Sequence, residues 1–214
     1  MLVDDMIKDS IPLWDEAANL KIVIDLYQGI LSHKSFMKYI VEDTIYLFYY
    51  AKVFAYAIAK ANDFEEMRFY YSMLSFVNNS EVNIREKYAI NTQFDPNYPL
   101  GFKPDKITMD YVNHLLEYAI NGDIKEITAA VLPCVLSYQY IFNKIKANYK
   151  KISNNYEDLV NEYLSDRYTK SCQNWIDFAN KLYQNVKDEE KIKYINIFHK
   201  SSLLEIDFWR MCEE

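Results

Sequence analysis

The run from Lys34 to Ala61 contains neither glycine nor proline, and it sets the fold class. Its apolar positions at Phe36, Ile40, Leu47, Tyr50 and Phe54 recur in threes and fours, the period of one helix face. Only 3 glycines and 5 prolines punctuate the 214 residues. All-β folds spend many such residues on turns, so long helices with few connections are favoured. Half of the residues are hydrophobic, enough to bury a sizeable core.

The pattern predicts an all-α bundle of roughly eight helices, one domain over residues 1–214. The first helix follows Pro12 and runs to about Gly29, because proline suits the first turn of a helix. The second covers about Lys34 to Ala61 and the third about Phe64 to Val77. Asn78-Asn79-Ser80 ends the third and caps a fourth, from Glu81 to about Ile90. Asn91 to Lys103 carries Pro96, Pro99 and Gly101 and reads as the main irregular loop. A fifth helix starts near Pro104-Asp105 and stops at Asn121-Gly122. The sixth runs from Asp123 to about Tyr149. The last two cover Tyr156 to Val186, with a break near Ser165, and Glu189 to Cys212. No internal repeat, low-complexity tract or domain linker interrupts the series.

The net charge is −7 and the basic residues are scattered, so no nucleic-acid partner is expected. The opening MLVDDMIKDS is acidic where a secretory signal would be basic and then apolar. The longest apolar stretch, Thr44 to Ala59, is interrupted by Lys52 and is short of the roughly 20 residues that span a bilayer. Three cysteines, far apart and odd in number, make no disulfide framework. The expectation is a soluble, cytoplasmic protein with no membrane association. The 20 tyrosines are read as compositional drift.

A few residues break the local pattern. Asp43 lies in the apolar stripe of the second helix, where an unpaired carboxylate would cost several kcal/mol; it is either functional or paired with a lysine or a helix end. Tyr46 shares its face. Glu205 falls four residues before Trp209 on the stripe of the last helix, though Ile206 beside it is an alternative core position. Cys134 follows Pro133 inside AAVLPCVLSYQYIF, where the missing N–H can bend the helix and aim a thiol. The alternative is a small buried hydrophobe. Cys172 and Cys212 read as structural. His33, His114 and His199 do not form a Glu-x-x-His pair, and HExxH, CxxC, GxGxxG and nucleophile-elbow motifs are missing. No metal site follows. A thiol, two carboxylates and several tyrosines remain.

Taken in chain order, these residues resemble the thiaminase II (TenA) family. FMKYIVEDTIYLFYYAKVFAYAIAKA is similar to a family segment with an aspartate and a tyrosine three residues on, here Asp43 and Tyr46. Tyr111, after Lys103-Pro104, matches its site tyrosine. Asn121-Gly122-Asp123 followed by Leu132-Pro133-Cys134 resembles its turn and Leu-Pro-Cys motif, and Tyr138 matches an aromatic four residues later. Trp175-Ile176 resembles a Trp-Ile motif, and Glu205 with Phe208-Trp209 the C-terminal glutamate and Phe-Trp. Two departures stand out. The family's His-Pro-Phe near the end of the first helix is missing, and the tyrosine four residues after the Trp-Ile tryptophan is Ala179. Tyr183, one turn on, is a candidate replacement.

The resemblance implies a heme-oxygenase-like helical fold, a homotetramer, and a reaction without heme or metal. The implied activity is hydrolysis of thiamin, or of aminopyrimidines from its breakdown, to the hydroxymethylpyrimidine salvaged into new thiamin. Cys134 would be the nucleophile and Glu205 the proton donor. Asp43, Tyr46, Tyr111 and Tyr138 would bind substrate, with Phe208, Ala179 and Tyr183 as further pocket positions. Two nearby carboxylates would hold a thiol protonated at rest. A non-catalytic pyrimidine- or partner-binding relative is the alternative, with Ala179 as its main support. A cofactorless oxidase of the same fold is a third reading, and the lack of an ordered histidine set counts against it.

Overall fold

The computed structural model describes residues 1–77, 82–89, 93–151 and 156–213. Among these residues lie ten α-helices and no strand. In chain order they are α1 (Leu2–Ala18), α2 (Lys21–Gln28), α3 (His33–Lys60), α4 (Phe64–Phe76), α5 (Val82–Ala89), α6 (Lys106–Asn121), α7 (Ile124–Asn148), α8 (Glu157–Tyr163), α9 (Asp166–Tyr183) and α10 (Asp188–Met211). A single 3₁₀ turn at Pro99–Gly101 interrupts the irregular loop before α6. The cap expected at Asn78-Asn79-Ser80 lies outside the described residues.

The expected helix after Pro12 is two helices, and the first begins ten residues earlier. Pro12 sits inside α1. An interior proline costs about 3 kcal/mol. The buried face of α1, with Val3, Met6, Ser10, Trp14 and Ala17, packs on α10 and α7. Burying three large side chains returns about 1.5–3 kcal/mol each, so tertiary packing overrides the local preference. α2 is separate and ends at Gly29, whose φ of 76° is the left-handed cap that glycine adopts freely. The break at Ser165 is present, with Ser165 accepting from the Tyr168 amide at 3.0 Å.

The bundle is held by α10 lying against α7, α1 and α6, and by α3 lying against α4, α6 and α5. Two locks fix α6 on α3. Buried Glu42 accepts from the Asp105 amide at 3.0 Å and from the Thr108 hydroxyl at 2.5 Å. Burial pushes the Glu42 carboxyl up, and these hydrogen bonds oppose the shift. At the other end Lys60 donates to the carbonyls of Ile120 at 2.8 Å and Gly122 at 2.6 Å, closing the last turn of α6. Gly122 has no room for a side chain, since a Cβ there would meet the Tyr118 carbonyl oxygen at 2.7 Å.

α7 begins with a capping box, Asp123 accepting from the Lys125 and Glu126 amides at 2.9 Å each. It runs unbroken through Pro133. Tyr50 donates to the Val131 carbonyl at 3.0 Å and Tyr168 to the Val135 carbonyl at 3.1 Å. Cys172 approaches the same Val135 carbonyl at 3.6 Å. Both Cys172 and Cys212 are buried, and burial pushes the Cys212 thiol up to about 12.

α9 buries one face carrying Tyr168, Cys172, Trp175, Ala179 and Tyr183. Trp175 meets Phe69 and Tyr70, with ring centres 4.7 and 5.7 Å away. Tyr183 donates to the Lys125 carbonyl at 2.7 Å, in the first turn of α7. Ala179 lies fully buried between these two anchors. The structure therefore places Ala179 and Tyr183 in helix packing.

Two stability effects follow from this packing. Glu42→Ala strands the Asp105 amide and the Thr108 hydroxyl, and the loss of about 1–3 kcal/mol should lower the melting temperature by about 2–12 °C. Ala179→Tyr should destabilise by about 1–3 kcal/mol through overpacking. An unchanged thermal unfolding curve for Ala179→Tyr would show open space beside α9.

Candidate active site

Tyr39, Asp43, Tyr46 and Tyr50 are spaced by four, three and four, so they share the face of α3 turned into the bundle, and all four are buried. The Tyr39 ring stacks on Trp209 of α10, centres 4.9 Å apart and planes within 4°. Tyr46 faces Tyr111 of α6 at 4.8 Å and Phe208 of α10 at 6.1 Å. Tyr111 donates to Glu205 Oε1 at 2.7 Å. Glu205 and Ile206 are both buried, so the helix turns both inward.

α7 contributes Cys134, partly buried, and Tyr138 one turn on, fully within the core. Burial pushes the Tyr46 phenol well above its ordinary range, and negative charge at Cys134 adds to the shift. Burial does the same to Tyr111, with Glu205 and then Cys134 adding. The thiol and the Glu205 carboxylate therefore flank the same pair of phenols. Tyr138 is raised by burial and then by Tyr39, Glu205 and Asp43, so both carboxylates act on its hydroxyl.

Asp43 is paired, but with an arginine. Arg85 of α5, 1% exposed, donates from Nε to Asp43 Oδ2 at 2.6 Å and brings a terminal nitrogen to the same oxygen at 2.6 Å. That nitrogen also donates to the Tyr163 hydroxyl at 2.9 Å. Tyr163, the last residue of α8, lies 4.7 Å from the Tyr138 ring. Burial pushes the Asp43 carboxyl up and the guanidinium pulls it back. Removing one member of such a pair costs about 3–5 kcal/mol.

The Trp209 indole nitrogen is buried without a hydrogen-bond partner among the described residues. The Tyr39 hydroxyl lies near those of Tyr163 and Tyr138, and the Tyr46 hydroxyl near that of Tyr111. Buried polar groups are almost always satisfied, so the indole donor and these phenols, set among aromatic rings, suit a polar planar ligand. A thiol is present for covalent addition and a carboxyl for proton transfer, with a second carboxylate, Asp43, near Tyr138. Among the described residues no group of His, Cys, Asp and Glu is arranged to hold a metal ion. Half-buried His114 meets the Ser201 hydroxyl at 2.9 Å and is held neutral, its pKa lowered to about 4 mainly by desolvation.

The structure thus brings together Cys134, Glu205, Asp43, Tyr46, Tyr111, Tyr138 and Phe208, and leaves Ala179 and Tyr183 in the α9 packing. Sequence reasoning missed Tyr39, Tyr163 and Arg85. Tyr39 was within reach, four residues before Asp43 on the same face. Tyr163 comes from α8 to the Arg85 and Tyr138 side chains. Arg85 carries no local signal beyond the requirement that a buried Asp43 be paired.

The chain resembles known proteins along nearly its whole length. An aminopyrimidine aminohydrolase from Halalkalibacterium halodurans is 28% identical over 94% of this chain and 90% of its own. Another from Helicobacter pylori is 28% identical over 93% and 92%. Among solved structures, a TenA homologue from Pyrococcus furiosus superimposes with a TM-score of 0.89, both chains fully covered, at 22% identity. That likeness concerns the fold. The sequence pattern of one family matches residues 8–214, so the chain belongs to the TENA/THI-4/PQQC family.

Proposed function

We propose that this protein hydrolyses an aminopyrimidine at its exocyclic methylene, replacing an amine with water to give the hydroxymethylpyrimidine used in thiamin salvage. The observation that carries the reading is the shared placement of Cys134 and Glu205 about Tyr46 and Tyr111. The two aminohydrolase relatives support the same chemistry.

The residues divide the work as follows. A pyrimidine ring lies among Tyr46, Tyr138 and Phe208, where flat aromatic surface matches flat aromatic surface. Asp43 accepts from the exocyclic amine. Glu205, oriented by Tyr111, gives a proton to a ring nitrogen as the Cys134 sulfur bonds to an electron-poor ring carbon. The thiol proton passes to the carboxylate that has just been emptied. Electrons then flow from the ring to break the methylene–nitrogen bond, and the amine leaves with a proton. Water adds at the methylene, the sulfur–carbon bond breaks, and the thiol and the aromatic ring are restored. Splitting the displacement in this way replaces one hard step by easier ones. The protein's own groups account for each step, so no cofactor is invoked. Thiamin shares the pyrimidine half and would lose its thiazole at the same bond. Following the family resemblance, we place the enzyme in the cytoplasm as a homotetramer.

Cys134→Ser should fold normally and lose turnover on the order of a thousandfold or more, because an alcohol is a far weaker nucleophile at neutral pH. Cys172→Ser, altered in helix packing alone, should keep its activity. Release of hydroxymethylpyrimidine from the aminomethyl substrate, followed chromatographically, is the measurement. A Cys134→Ser enzyme working at the parental rate would rule out the covalent route.

A further inference from the structure

The Asp43–Arg85–Tyr163 chain has an internal logic that the reaction above leaves unused. Arginine has donors and no acceptor. Its contacts therefore fix the direction of every hydrogen bond they enter. Both nitrogens that reach Asp43 converge on Oδ2. Tyr163 receives from the guanidinium through its oxygen, so its own proton must point away from Arg85. Tyr163 leans on Tyr138, and the Tyr39 hydroxyl lies beside the hydroxyls of both, the natural acceptor for the Tyr163 proton.

We propose that Arg85 is a positioning residue for the pyrimidine: by taking Oδ2 with two nitrogens it holds Asp43 ionised and leaves Oδ1 to the ligand amine. The inference rests on the aminopyrimidine reading of the site. Arg85 touches no reacting atom and acts through Asp43. Its burial, with 1% exposure, excludes a surface role.

The groups that face Asp43 come from each neighbouring element. They are Tyr39 on α3 itself, Arg85 on α5, Tyr138 on α7, Tyr163 on α8 and Cys212 just past α10, with Glu205 across Tyr138. Arg85 is the cation of this set. Without it Asp43 is a buried carboxylate among neutral phenols and a thiol, and it takes up a proton at higher pH. A protonated Asp43 is a poorer acceptor for an amine, so binding fails first on the acid side.

The test compares wild type, Arg85→Gln, Arg85→Lys, Asp43→Asn and the double variant Asp43→Asn/Arg85→Gln. Folding is checked by circular dichroism, kcat and KM are measured on the aminomethyl aminopyrimidine across pH, and affinity for the hydroxymethylpyrimidine product by calorimetry. Arg85→Gln should raise KM and weaken product binding about tenfold or more, the size of a lost charge-assisted hydrogen bond, with kcat much less affected. Its acid limb in kcat/KM should move up by about one pH unit or more. Arg85→Lys should restore the acid limb and leave KM raised, because a point charge lacks the fork. If Arg85→Gln does not fold, the double variant still decides, since it leaves no unpaired charge. KM and product affinity like those of Asp43→Asn support the inference, and a further tenfold loss overturns it. An Arg85→Gln enzyme that is merely less heat-stable, with KM and acid limb unmoved, also overturns it. Wild type that neither turns over the aminopyrimidine nor binds the product defeats the functional reading, and this inference with it. Active wild type with an indifferent Arg85→Gln defeats the inference alone.

Discussion

A carboxylate in the middle of a 28-residue buried helix is the constraint around which this molecule is arranged. Asp43 has 4% of its surface exposed, and a lone charge there would be intolerable. The guanidinium of Arg85 makes it tolerable, and in doing so it ties α5 to α3 and, through Tyr163, to α8. Apolar helix faces supply the cohesion of the bundle. The ion pair decides which way the elements around the site are set, because a charged hydrogen bond has a direction and apolar contact has little.

The long helices were legible because their signals are local. Asp105 and Asp123 announce α6 and α7 as N-caps, Ser165 announces the break before α9, and the spacing of Phe36, Ile40 and Leu47 announces α3. Pro12 misleads for the opposite reason. Its local meaning is a helix start, and only the packing of Val3, Met6 and Trp14 on α10 and α7 shows why α1 continues through it. Cys134, Asp43, Tyr46, Tyr111 and Glu205 stand out in the sequence because each is an exception on an apolar face or part of a family motif, and the fold brings them near one another. Arg85 does not, since α5 is short and weakly amphipathic, and a charged residue in such a segment reads as solvent-facing. Tyr163 is silent because it closes a seven-residue helix, and only the fold brings it to Arg85 and Tyr138.

The setting of Cys134 is also tightly held. Tyr50 and Tyr168 reach the carbonyls of Val131 and Val135 from opposite neighbours, α3 and α9. The turn carrying the thiol is thus gripped on both sides of Pro133. In the proposed role, a thiol that meets a ring carbon at one angle gains from such fixation, since orientational freedom lost on folding need not be lost on binding.

The hydrogen bond from Tyr111 to Glu205 spans 94 residues of sequence. Synthesis at roughly 5–20 residues per second puts about 5–20 s between the appearance of the two partners at the ribosome. Asp43 and Arg85, 42 residues apart, emerge much closer together. The nascent chain can therefore neutralise its buried charge early, while the face of α6, α7 and α1 that α10 will cover waits for the last helix to emerge. Glu205 arrives with the same helix that seals the bundle, so the candidate site and the closed fold come into being in one step.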